Sequence, residues 1–211
     1  MSRSVGDVVC WSCRGGTPSG FFCATCDAIL PLDARLDFFR LFALEPTFEV
    51  DLVALEVRYR ELQKRLHPDF FASRGALERR LSLEHVTRVN EAWQTLTDPL
   101  ARAGYLLRLE DWKPDHGSSD LEFLGEVMEL RESLEELDPK APDAMARLAA
   151  LRGGALERVR DEEKRMGALF LDYFREPDRE CLVRIGRLAD RMRYHRRYLE
   201  ELDRLEDQAF E

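Results

Sequence analysis

The chain has no apolar run that approaches the roughly 20 residues of a membrane-spanning helix. It opens on neither a signal-peptide core nor an arginine- and serine-rich transit stretch, since Cys10 arrives almost at once. The expectation is a cytoplasmic protein with no membrane partner. Positive charge is also short: the formal net charge is −9, which argues against bulk nucleic-acid binding because that needs a basic footprint. Lysine is rare, with arginine supplying 28 of the 32 cations. There is no glycine-rich phosphate loop, no nucleophile–base pairing and no open metal site, so nothing supports catalysis and the chain reads as a non-enzyme.

What remains is the profile of a soluble, helix-rich protein: 211 residues, 45% hydrophobic and 35% charged, enough for one or two domains with a real core. The negative charge is uneven. Residues 1–119 carry 15 cations and 17 acids, whereas residues 120–211 carry 17 and 24.

Cysteine is scarce but clustered. Cys10, Cys13, Cys23 and Cys26, four of the five, fall within 17 residues as two CxxC knuckles nine residues apart. Each knuckle can offer two thiolates from a tight turn, the pattern of tetrahedral structural zinc. The intervening Gly15-Gly16-Thr17-Pro18-Ser19-Gly20 is turn chemistry that returns the second knuckle to the first. A segment this small cannot fold on apolar burial, so the metal would supply its folding energy. Trp11, Phe21 and Phe22 are expected to cover the site. A redox dithiol would need a βαβ pattern, which is absent, and a disulfide framework would suit a secreted chain. Four protein ligands leave no open position, so such a metal is not catalytic. Cys181 stands alone and reads as a small core residue.

A short helix is expected over Asp33 to Leu44, then a loop, then a helix N-capped by Asp51. Leu52, Leu55, Tyr59, Leu62 and Leu66 recur at helical spacing along it. Pro68 locks φ and pushes His67 out of the helical region, so this helix should stop near Leu66 and present His67, Pro68 and Asp69 on an exposed corner. Arg58, Arg60, Lys64 and Arg65 lie off the apolar stripe. They are either a solvated face that suits the helix macrodipole or a strip that docks on an acidic partner. A third helix, about Leu77 to Leu96, places Ser82, Val86, Val89, Trp93 and Leu96 on one face, with Trp93 as a core anchor. Asp98 and Pro99 then stop it and start another.

Tyr59-Arg60, His67-Pro68-Asp69 and Asn90 to Pro99, followed by Arg102-Ala103 and Tyr105, resemble a J-domain. Ala92 to Leu96, Pro99-Leu100 and Ala103 to Leu107 resemble the HscB family of iron–sulfur cluster assembly, some members of which carry an N-terminal tetracysteine domain. The resemblance implies that His67, Pro68 and Asp69, flanked by Arg58, Arg60, Lys64 and Arg65, contact a 70-kDa heat-shock chaperone of HscA or DnaK type and stimulate its ATPase. Many J-domains follow the tripeptide with lysine; here the residue is Phe70.

Past a polar linker, Ser119-x-x-Glu122 is a capping box opening a helix that ends near Asp138-Pro139. Phe123, Val127, Leu130, Leu134 and Leu137 form its core stripe. Leu121, Leu124 and Met128 project roughly 90–150° away, a second apolar strip bordered by Glu129 and Glu132 and a candidate binding surface. A helix from about Asp143 to Phe174 contains Gly153-Gly154, a potential kink, and a last helix follows Pro177. On that last helix His195 reads as a satisfied, part-buried histidine, and Tyr194 points off the core face. The family resemblance implies that Leu124, Met128, Glu129, Glu132 and Tyr194 bind an iron–sulfur scaffold protein of IscU type; Leu121 is a further candidate, and Gly125 stands where a relative has a bulky residue.

The expected fold is all-α: J-domain helices plus an antiparallel three-helix bundle, preceded by a small zinc knuckle. The expected boundaries are 1–32 for the tetracysteine segment, 33–108 for the J-domain, 109–119 for the linker and 120–211 for the bundle. Two alternatives to the scaffold-delivering co-chaperone are a general folding J-protein that captures varied clients and a zinc-ribbon nucleic-acid binder.

Overall fold

The structure, a computed structural model, describes residues 7–33, 36–113 and 121–210, without the side chains of 121, 122 and 210. The capping box at Ser119 and most of the linker lie outside the described residues. Among the described residues, the regular elements apart from one two-stranded ribbon are helical. The chain divides into two compact units, Met1–Pro46 with Val50–Asp98, and Thr47–Glu49 with Pro99–Glu211.

In the first unit, β1 (Asp7–Val9) and β2 (Gly16–Pro18) pair antiparallel, with Val8 opposite Thr17. Next comes α1, a single turn at Phe38–Leu41 rather than the helix expected from Asp33 to Leu44. The reason is local. Ala43 takes φ 51°, and the N–H groups of Ala43 and Leu44 turn back onto the carbonyls of Arg40 and Phe39. Helix α2 (Leu52–Leu66) begins at Asp51, whose Oδ1 accepts from the N–H groups of Val53 and Ala54 at 3.0 Å. It ends at Leu66, as the proline argument requires. One 3-10 turn, Pro68–Phe71, leads to α3 (Ala76–Thr97). Leu55, Leu66, Leu81, Val89, Ala92 and Leu96 fill the space between α2 and α3, whereas Leu52, at the start of the expected stripe, is exposed.

In the second unit, α4 (Pro99–Leu109) packs on α7 (Arg179–Phe210), and α7 runs along α6 (Ala144–Arg175) with α5 (Leu121–Glu135) beside it. Leu130, Leu137, Leu148, Ala155, Tyr198 and Leu202 make one buried cluster across α5, α6 and α7. Helix α6 passes through Gly153-Gly154 without a break. Asp178 opens α7, accepting from the N–H groups of Glu180 and Cys181. Gly186 has a steric role: a Cβ there would collide with the Trp112 ring, so only glycine lets the two elements meet this closely. Cys181 is buried and its thiol donates to Leu169 O at 3.2 Å, a core residue as expected.

Candidate functional site

The corner at the end of α2 is built by what surrounds it. Pro68 cannot donate a backbone hydrogen bond, so the last carbonyls of α2 need other partners. Ser82 of α3 is fully buried, and its hydroxyl donates to Leu66 O at 2.6 Å. Further up, Tyr59 donates to Asn90 Oδ1 at 3.0 Å, Gln63 donates to Tyr59 Oη at 3.1 Å and also to Asn90, and the Tyr59 and Trp93 rings stack at 4.5 Å. Trp93 is thus a half-buried clasp between α2 and α3 and not a fully enclosed anchor.

The corner held this way is open to solvent. The His67 side chain is 51% exposed and that of Asp69 89%, with Nδ1 3.5 Å from Oδ2. Nδ1 also accepts from the Asp69 N–H at 3.3 Å, which aims the ring back over the turn. Phe70 is 60% exposed and meets His67 edge-on, while Phe71 is buried and pins the turn to the core.

The four cations of the strip differ in their surroundings. Lys64 is exposed and has no ion pair among the described residues, and exposed Arg60 pairs with Glu56 one turn away. Arg58 is half-buried and donates to the carbonyls of Phe42 and Ala43, closing the end of α1. Arg65 Nη2 reaches Asp27 Oδ1 at 3.1 Å, and its guanidinium lies 4.1 Å from the centre of the Phe22 ring. Spacing in the sequence put all four off the apolar stripe; the contacts that engage Arg58 and Arg65 come from distant parts of the chain and could not be read from it.

The sulfurs of Cys10, Cys13, Cys23 and Cys26 all lie within 4.8 Å of one another. Cys10 to Cys26 is 3.7 Å and Cys13 to Cys23 is 3.8 Å, far longer than a disulfide. Four sulfurs at about 2.3 Å around a tetrahedral ion would sit roughly 3.8 Å apart, so the cage fits a metal thiolate centre. The two knuckles repeat one backbone device. Arg14 and Asp27, each directly after the second cysteine of its pair, take φ 61° and 56°. Their N–H groups donate to Cys10 O and Cys23 O, while Gly15 O and Ala28 O accept from the N–H groups of Cys10 and Cys23. The N–H groups of Cys26 and Thr25 aim at the Cys23 sulfur and hold that thiol down at about 6.

The aromatic residues beside the cage also make contacts away from it. Trp11 is 43% exposed and donates to Ile29 O at 2.8 Å. Phe22 lies against Arg65, and Phe21 meets His85 of α3 edge-on at 5.5 Å. His85 is buried, and its Nε2 donates to Leu30 O at 2.7 Å; burial holds its pKa below the ordinary histidine value. Sequence reasoning missed His85 because its partner is 55 residues away.

On α5 of the second unit, Leu124 is 49% and Met128 63% exposed, and Glu129 and Glu132 are exposed beside them. Gly125 is open to solvent, and an added Cβ would meet nothing within 4 Å. The Leu121 side chain lies outside the described residues. Tyr194 is half-buried, donates to Val127 O at 3.3 Å and meets Phe123 edge-on. Behind this surface His195 is 1% exposed, more deeply buried than its position suggested, with Nδ1 3.0 Å from Glu162 Oε2. Glu126 of α5 ion-pairs Arg158 of α6 at 2.6 Å, which ties the exposed strip to the bundle.

Residues 119–203 match the family model of the HSCB C-terminal oligomerisation domain. The iron–sulfur cluster co-chaperone HscB homologue of Arabidopsis thaliana is 32% identical over 92% of this chain and 72% of its own length. The co-chaperone HscB homologue of Shewanella halifaxensis is 33% identical over 83% of this chain and the whole of its own. The chain spans 59% of mouse HscB, to which it is 38% identical. The crystal structure of human HscB superposes with a TM-score of 0.78 at 32% identity, covering 92% of this chain and 96% of that one. The chain belongs to the HscB co-chaperone family.

Proposed function

We propose that the protein is a J-type co-chaperone of iron–sulfur cluster assembly that joins two partners. His67, Pro68 and Asp69, with Lys64 and Arg60 beside them, engage a 70-kDa heat-shock chaperone and stimulate its ATPase. Leu124, Met128, Glu129, Glu132 and Tyr194 hold the scaffold protein that is delivered, with Leu121 at the edge of the strip. The functional divisions remain a tetracysteine segment, a J-module and a bundle. Zinc is the metal proposed for Cys10, Cys13, Cys23 and Cys26. It would supply folding free energy and, with all four positions taken, no reactive one. The chain itself then carries out no covalent chemistry, and it works in the cytoplasm.

The observation that carries this reading is the exposed tripeptide corner, fixed from below by Ser82 and Phe71, in a chain whose relatives are named co-chaperones. The Asp69 side chain is 89% exposed, with Oδ2 3.5 Å from His67 Nδ1. Asp69→Ala should therefore abolish stimulation of the chaperone ATPase while leaving the helical content unchanged. Normal stimulation by that variant would rule out the J mechanism. The exposed Leu124 and Met128 also suit a general folding J-protein, and recovery of many clients instead of one scaffold partner in a pull-down would favour that reading.

A further inference from the structure

The tetracysteine segment, proposed so far only as a structural metal site, abuts the tripeptide corner. A groove of about 510 Å³ opens there, walled by Phe22 and Asp27 on one side and by Lys64, Arg65, Phe70 and Arg74 on the other. Phe70 directly follows the tripeptide, so the groove is continuous with the corner. The Phe70 ring, 60% exposed, offers the groove an apolar surface. The lining carries three cations, Lys64, Arg65 and Arg74, against the acids Asp27 and Glu61, a net of +1 in a chain of net −9.

The segment is seated firmly enough to serve as a wall. His85 donates from the core of the unit to Leu30 O at 2.7 Å, and Ile29 and Leu30 are fully buried. At the rim, Asp27 and Phe22 grip Arg65 from two sides. Asp27 directly follows Cys26 and Phe22 directly precedes Cys23, so the thiolate cage sets the position of both.

We propose that the metal-loaded tetracysteine segment forms the second wall of the chaperone-docking groove, which receives a short extended segment of the 70-kDa chaperone carrying apolar side chains and an acidic one. This rests on the J-type reading of the corner. Arg65 is then a positioning residue that locks the wall in place through Asp27 and Phe22. Lys64 is the cation left for the incoming acid, and Phe70 provides the apolar seat.

The test uses the full-length protein and the chaperone ATPase. Phe22→Ala and Phe70→Ala should each raise the co-chaperone concentration for half-maximal stimulation about fivefold, the size of one good interface contact. Metal content, measured on each variant, reports whether the cage survived. Should Phe22→Ala lose its metal, Phe70→Ala carries the test alone, since Phe70 touches no cysteine. Unchanged half-maximal concentrations, with Asp69→Ala inactive, would overturn the groove but spare the J-type reading; an active Asp69→Ala would overturn both. Hydrogen exchange gives a second readout. Chaperone binding should protect amides at 22–27 as well as 64–74, and protection confined to 64–74 would exclude the segment as a wall. Chelator-stripped protein should show the same fivefold shift, reversed on adding zinc, and an unshifted response would overturn the metal's part.

Discussion

Two buried side chains in the first unit give its stability a pH and a polar signature. His85 accepts no proton easily because burial disfavours its charged form. Unfolding exposes it to water, where it titrates near the ordinary value of 6.5. The unfolded chain thus takes up a proton that the folded chain refuses, and stability falls as pH drops through about 6.5. The melting temperature of this unit should fall between about pH 7.5 and about pH 5.5, and less so in His85→Gln, whose amide donates without titrating. Identical pH profiles would contradict this. Ser82→Ala would leave Leu66 O buried and unsatisfied, at a cost of about 1–3 kcal/mol in denaturant unfolding. Neither residue could be valued from sequence. Ser82 fell on the core face of its helix, but its partner carbonyl belongs to α2, and His85 pairs with a carbonyl far back in the chain.

At the scale of elements, stops and stripes were legible and local strain was not. Asp51, Pro68 and Pro99 act where they stand, so the start and end of α2 and the junction of α3 with α4 follow from a few residues. The core face of α7 buries Ile185, Leu188, Met192, His195 and Leu202 at helical spacing. The helix expected from Asp33 to Leu44 is a single turn, because Asp37 caps it at one end and Ala43 reverses the chain at the other. Gly153-Gly154 looked like a kink or break, and α6 runs through the pair unbroken, with Leu148 and Ala155 buried to either side of it. At Gly153 the helix pays an entropic penalty without compensation: its Cβ position is open. Gly153→Ala should stabilise the bundle by about 1 kcal/mol, read as a higher denaturation midpoint. A loss of stability would show that the glycine serves packing or bending.

For the whole molecule, the two compact units carry the two proposed binding surfaces separately. The first unit presents the tripeptide corner and the thiolate cage; the second presents the strip on α5 and Tyr194. The all-α class, the tetracysteine cage and the family were legible in the sequence because each rests on short spacings or on motifs in order. The groove beside Phe70 was not, since it needs Phe22, Asp27 and Arg65, residues far apart in the chain, brought to one place.

The proposed adaptor role requires its two ends to be coupled, and the decisive measurement is the chaperone ATPase with co-chaperone and scaffold added separately and together. The expected result is stimulation by both together that exceeds the sum of the separate effects. Leu124→Ala with Met128→Ala should lose that excess while still stimulating alone as the unaltered chain does. A simply additive response, or an excess that survives the double substitution, would contradict the two-handed reading.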